Sequence, residues 1–175
     1  KSLDTAANRI REFHEFCKVD DWHDNNRGYG QKFLPVSSTA AYIPGGTARY
    51  PSTVLMTVIP AKVAGVPRVS ISCPGSEGGY PADSVLAAAY ISGVDQVYSL
   101  GGAQAIAALA YGTYCVDPVD LICGPGNLFV TLAKKLVYGD VGIDGLYGPT
   151  ETVILADETA SPVMCAADLV AQAEH

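Results

Sequence analysis

The sequence has little with which to build a metal centre of its own: three histidines, His14, His23 and His175, and no Cys-x-x-Cys pair. A structural zinc takes about four donors, so zinc ribbons and fingers are excluded. The five cysteines, Cys17, Cys73, Cys115, Cys123 and Cys165, are an odd and widely spaced set. That is not the pattern of a disulfide scaffold, and they read as buried thiols in a reducing compartment. Runs of lysine or arginine are also missing, and the formal net charge is -7 with a pI near 4.7. Nucleic acid and anionic membranes are thereby excluded as main partners, and an anionic cofactor would have to be held by backbone amides. No apolar run approaches the length of a membrane span, and the opening KSLDTAANRIREFHEF carries no signal-peptide pattern. The expected location is cytoplasmic.

What is present is enough apolar sequence to fold. Of 175 residues, 49% are hydrophobic and 17% charged, with mean hydropathy +0.19. This excludes disorder and suffices for one domain with part of another. The chain opens on Lys1 and closes inside a helical pattern on His175, so both ends read as edges of a longer protein. Leu3, Ala6, Ala7, Ile10 and Phe13 fall on one helical stripe and predict a helix over 3–16. Residues 20–30, DDWHDNNRGYG, predict a loop or hairpin, and a short extended stretch follows over 32–43.

Beyond Pro44-Gly45-Gly46 helical and β-rich runs alternate. Helices are expected at 52–64, 82–92, 103–111 and 128–138. Strands are expected at 68–73, 96–100 and 120–124, in a short GID segment, and at 152–157. A last helix begins at Ser161-Pro162, serine as cap and proline in the first turn. Such alternation implies βαβ crossovers, and the fold class is α/β, a Rossmann-like parallel sheet sandwich.

Ligands of open parallel sheets sit at the carboxyl ends of the strands, so the residues that follow each strand matter most. There the sequence places glycine: Gly101-Gly102-Ala103-Gln104 after one strand and Gly124-Pro125-Gly126-Asn127 after another, each opening a helix. Glycine lets a ligand approach the backbone, and free amides at a helix start attract phosphate or carboxylate. Gln104 and Asn127 add neutral hydrogen-bonding arms. The same glycines would also serve plain strand-to-helix turns, and Phe129 stands where a dinucleotide fingerprint has its third glycine. Tyr42, ahead of the turn Pro44-Gly45-Gly46-Thr47, either stacks on a base or fills the core. Thr150 and Glu151 offer a hydroxyl and a carboxylate side by side, for a polar substrate or an ordinary capped turn. In the last helix Gln172 and His175, spaced i and i+3, point the same way, with Asp168 close to that face. Alone this spacing fits a metal-binding face or a commonplace surface histidine.

Six segments taken in order resemble one family: YIPGGT from Tyr42, PSTVLM from Pro51, GGAQAIAALA from Gly101, GPGN from Gly124, GPTE from Gly148 and QAEH from Gln172. They are similar to the histidinol dehydrogenases, and the likeness covers the middle of that family's chain. The resemblance implies a zinc-dependent homodimer that oxidises L-histidinol through L-histidinal to L-histidine with two NAD, in histidine biosynthesis. It implies NAD contacts for Tyr42, Gln104 and Asn127, a substrate contact for Thr150 where the family usually has serine, and a zinc and substrate role for Gln172 and His175. The family's catalytic Glu-His pair, a further zinc-binding Asp and a partner-subunit His lie past His175. No catalytic residue is therefore expected in this stretch, which should be inactive alone. On this basis 1–41 forms the first part of a discontinuous domain, 42–150 the Rossmann-like domain, and 151–175 the return into a second, incomplete α/β domain.

Two departures keep other readings open. The stretch SCPGSEGGYP from Ser72 is long, and GLYGPT from Gly145 replaces the family's more usual MPAGPS. A paralogue acting on a polyol or sulfonated diol is one alternative, and a non-catalytic NAD- or metal-binding module is another.

Overall fold

The computed structural model describes residues 1–46, 49–76, 78–147 and 151–173. Its centre is β3 (Ser38–Tyr42), a strand buried along its whole length. Ala41, with Ile43 just beyond, packs into one apolar cluster, while Ala40 and Tyr42 pack into another. Successive side chains of a strand point to opposite faces, so β3 must lie between two helical layers. On its two sides run β4 (Arg68–Ser72) and β6 (Leu121–Cys123), with β5 (Gln96–Tyr98) outside β4 and β7 (Gly142–Ile143) outside β6. All four pairings are parallel.

One layer holds α2 (Pro51–Val63) and α3 (Asp83–Ser92), whose Val54, Leu55, Val58, Ile59, Val85 and Ala88 close over Val69 and Ile71. α2 starts on proline, where the missing N–H has no acceptor to lose. The opposite layer holds α4 (Gly102–Tyr111) and α5 (Leu128–Val137), with Ala105, Ile106, Leu109, Val130 and Val137 packed on Ile122. Fully burying an isoleucine such as Ile71 or Ile122 contributes about 1.5–3 kcal/mol. That outweighs surface ion pairs such as Lys62–Asp95, worth about 1 kcal/mol or less. α1 (Ser2–Phe16) lies outside α2 and α3, with Ala7 buried and Leu3, Ala6 and Ile10 against the cluster. Its predicted stripe stops there, for Phe13 is 64% exposed.

The register of β3 on β6 is pinned by one carboxylate. Asp120 Oδ2 accepts from Ser38 N at 2.8 Å and Ser38 Oγ at 3.1 Å, which sets Thr39 opposite Leu121 and Ala41 opposite Cys123. The sheet begins at Ser38, ahead of the domain boundary expected at Tyr42. Residues 20–30 do form most of a hairpin, β1 (Trp22–Asp24) with β2 (Tyr29–Gln31), antiparallel. Asp24 Oδ1 accepts from Asn26 N and Arg27 N in its turn.

The strand expected at 152–157 is a correction: those residues enter no strand, and Val153 and Leu155 are 85% and 97% exposed. The TVILAD pattern carries β propensity, but a strand needs an adjacent edge to fill its N–H and C=O groups. Among the described residues no such edge meets it. α6 (Pro162–Ala173) forms from the proline start as expected and has no buried residue among those described.

Candidate cofactor site at the crossover of the sheet

From β3 the chain moves outward to β4 and β5, then returns past β3 to β6 and β7. That order reverses between β3 and β6, and the carboxyl ends of the two strands at such a reversal are the general binding place of open parallel sheets. Here the structure places Tyr42 at the end of β3 and Gly124-Pro125-Gly126-Asn127 directly after β6.

Tyr42 joins both glycine turns. Its ring is 4% exposed and lies in the core cluster of the α4 and α5 layer, and its hydroxyl accepts from Gly102 N at 3.0 Å. Its backbone carbonyl lies so close to Gly124 that a Cβ there would collide with it. Gly124 has φ +104 and Gly102 φ +73, backbone conformations that suit glycine. Gln104 is exposed and its amide folds back over Gly102, where a Cβ would meet Oε1 at 2.8 Å. Tyr42 and Gln104 therefore share Gly102 as a neighbour.

The rim continues on the other side of β3. Pro74, after β4, sits between Gly45 and Gly101, and a Cβ on either glycine would press on its ring. A cleft of about 190 Å³ lies there, lined by Gly45, Gly46, Arg49, Pro74, Gly75 and Ser76 among others. A larger cleft of about 300 Å³, between His14 and Cys17 of α1 and Pro60 and Val63 of α2, is mainly apolar and holds no strand-end turn.

The two helix starts differ. α5 is capped by Asn127, whose Oδ1 accepts from Val130 N at 3.1 Å, so the side chain keeps its NH₂ as a donor. α4 begins at Gly101 with no side-chain cap from that residue; Gly102 N is taken by the Tyr42 hydroxyl, and the following first-turn amides are left to meet an anion. At the end of β6 burial pushes the Cys123 thiol up to about 11, with the Asp144 charge adding to it. A thiol so raised is no nucleophile at neutral pH.

Beneath the Gly124 turn lies a group that sequence reasoning missed. Lys134 pairs with Asp144, and its Nζ also donates to Gly124 O at 3.1 Å. Asp144 Oδ2 accepts from Gly124 N at 2.8 Å. The signal was present: Lys134 falls on the stripe Val130, Ala133, Val137 that α5 buries.

Of the remaining expected site residues, Thr150 and His175 lie outside the described residues. Gln172 is on α6, as is Asp168. His23 Nδ1 is 2.8 Å from Asn25 Oδ1 on the exposed hairpin, and His14 is on α1. Among the described residues no group of three or more His, Cys, Asp or Glu is arranged to hold a metal ion. No helix among them is long and apolar enough to cross a membrane.

The family model described as histidinol dehydrogenase matches residues 1–175. The histidinol dehydrogenase of Prochlorococcus marinus subsp. pastoris is 53% identical over 181 residues, covering 100% of this chain and 42% of its own. That of Geobacillus kaustophilus is 54% identical over 173 residues, covering 97% and 41%. The crystal structure of histidinol dehydrogenase from Elizabethkingia anophelis superposes with a TM-score of 0.92 at 38% identity, over 97% of this chain and 40% of that one. The chain thus spans about two fifths of the length of these relatives. Sequence, length of match and backbone agree, and the chain belongs to the histidinol dehydrogenase family.

Proposed function

We propose that this chain is the NAD-binding part of an oxidoreductase that converts L-histidinol through L-histidinal to L-histidine, taking up two NAD in all. The observation that carries the reading is the junction at Tyr42, which brings the Gly101-Gly102 and Gly124–127 turns together at the crossover of a parallel sheet. The cradle fits a dinucleotide. A side chain at Gly124 is barred by the Tyr42 carbonyl, α4 offers uncapped amides for phosphate, and the Gln104 and Asn127 amides offer donors beside them. When bound, NAD accepts the hydride that leaves the alcohol carbon. Gln104 and Asn127 bind and orient it, and Tyr42 holds the two turns at a fixed separation.

The proposal extends to zinc, with Gln172 and His175 among its ligands and Thr150 on the substrate, and to a homodimer in which the partner subunit completes the site. Gln172 is one amide donor, and with no metal cluster among the described residues these do not make a zinc site by themselves. We assign the remaining ligands to the part of the full-length protein outside this chain, which covers 42% of the Prochlorococcus relative. Residues 1–37 and 151–175 then make up a discontinuous domain, since Ser38–Ala41, expected within it, are part of the central strand of the sheet. The exposed Val163, Met164 and Val170 on α6 support it, because an amphipathic helix buries such residues once its neighbours are present. The five cysteines are all free, which supports a cytoplasmic setting.

The deciding experiment uses the full-length protein with NAD⁺ and compares L-histidinol with dihydroxypropane sulfonate. Turnover of histidinol is expected; turnover of the sulfonate alone would move the enzyme to a paralogous substrate. His175→Ala is expected to lose bound zinc and turnover while NAD⁺ affinity stays. Unchanged zinc content would remove the metal role of His175.

A further inference from the structure

A lysine on the inner stripe of a helix needs its charge met. Lys134 is 3% exposed, between Val130 and Val137 on the face of α5 that packs against the sheet. Its ammonium has two hydrogen-bond partners, the Asp144 carboxylate and the Gly124 carbonyl, and the Tyr147 ring lies 5.9 Å from it. Asp144 accepts from Gly124 N through Oδ2 and from Gly145 N through Oδ1, each at 2.8 Å. A single ion pair therefore holds both the N–H and the C=O of Gly124. That glycine lies just past the last β3–β6 pair, Ala41 with Cys123, so the strand ladder does not hold it. Its φ of +104 and missing side chain leave the turn with little to fix it from within.

We propose that Lys134 and Asp144 are a positioning pair that holds the Gly124–127 turn in the conformation that receives the dinucleotide, an inference that rests on the cofactor reading above. Stability alone does not call for such a pair. A buried ion pair is commonly no better than well-packed apolar residues of the same volume, so apolar side chains at both 134 and 144 would serve the core as well. What the pair supplies, and apolar side chains cannot, is a donor and an acceptor aimed at one glycine. It also joins the turn to the loop after β7. The Tyr147 hydroxyl donates to Asp144 O at 3.2 Å, and Thr131 Oγ1 on α5 donates to Tyr147 O at 3.2 Å. Asn127, the cap of α5, is then carried between two fixed points, the pair at one end and the helix at the other.

The test measures NAD⁺ dissociation constants by calorimetry on full-length protein, together with KM for NAD⁺ and for the alcohol and the melting temperature. The variants are Asp144→Asn, Lys134→Met, both together, and Asn127→Ala. Asp144→Asn and Lys134→Met are each expected to weaken NAD⁺ roughly tenfold, the loss of about one hydrogen bond's worth of ordering. KM for the alcohol should move less than twofold, and the double variant should be no weaker than the worse single one, since the two residues act as a unit. If Lys134→Met does not fold, Asp144→Asn decides, because it keeps the side-chain size and an acceptor for Gly124 N. Folded variants that melt earlier but bind NAD⁺ within twofold of the parent would overturn the inference while Asn127→Ala still weakened binding. Should Asn127→Ala also leave NAD⁺ affinity unchanged, the cofactor reading itself fails and the positioning role falls with it.

Discussion

Two glycines with nearly the same φ offer a direct measure of what the crossover demands. Gly124 has φ +104 and Gly139, just after α5, has φ +109. An alanine at either position takes up a left-handed conformation at a cost of about 1–2 kcal/mol. At Gly139 nothing lies within 4 Å of a new Cβ, so Gly139→Ala should cost little more than that. At Gly124 the Cβ would collide with the Tyr42 carbonyl oxygen and stand 3.1 Å from Tyr42 C and N. These are backbone atoms of the buried central strand, and they cannot yield without shifting the Ala41–Cys123 pair. Overpacking of this kind adds about 1–3 kcal/mol, for a total of about 2–5 kcal/mol. A difference of about 2 kcal/mol between the two variants corresponds to about 4–8 °C in melting temperature for a chain of this size. Thermal unfolding followed by circular dichroism reads that difference. Equal melting temperatures would refute the reasoning, for then the glycine would not be required by the packing of β3 on β6.

Three further outcomes follow from single groups. Asn127→Asp keeps an oxygen to cap α5 but loses the NH₂ donor and adds a negative charge where the proposed dinucleotide would bind. Stability by urea unfolding should hold, whereas NAD⁺ affinity falls; Asn127→Ala should lose affinity and about 1 kcal/mol of stability as well. Burial pushes the Asp95 carboxyl up, but the Lys62 ammonium and Val69 N, each at 2.7 Å, outweigh it and hold the group below its ordinary 3.8. A depressed carboxylate contributes stability above 3.8 that is lost as pH falls through the lowered value. Asp95→Asn should therefore weaken the chain at pH 7, by no more than about 1 kcal/mol for so exposed a pair, and flatten the acid limb in urea titrations from pH 7 to 3. Alkylation at pH 8 should mark exposed Cys17 and Cys115 first in mass spectra, while Cys73 and Cys123, both raised by burial, stay unlabelled until unfolding.

The alternation of helices and β-rich runs was legible because each element's own residues carry it: the apolar stripe of period 3.6 in α1, proline at the start of α2 and glycine after each strand. The segment at 152–157 misled for the converse reason. Its β-branched residues state a propensity, but a strand is a pairing, and pairing depends on an edge elsewhere. The same limit applies at the site. Sequence left Tyr42 open between a stacking ring and a core ring, and the structure puts the ring in the core and the hydroxyl on Gly102 N. No local pattern could tell this, since residue 102 comes beside residue 42 only through the order of β5, β4 and β3.

Lys134 is the intermediate case. Its place on an apolar stripe is a local anomaly, and such anomalies often mark sites where function overrides packing. Naming its partner needed the fold, because Asp144 follows β7 and meets α5 only after that edge strand has docked on β6. A periodicity broken by a charge can therefore be noticed in the sequence alone. What the charge holds is set by topology, and here it holds the backbone of the glycine that Tyr42 crowds from the other side.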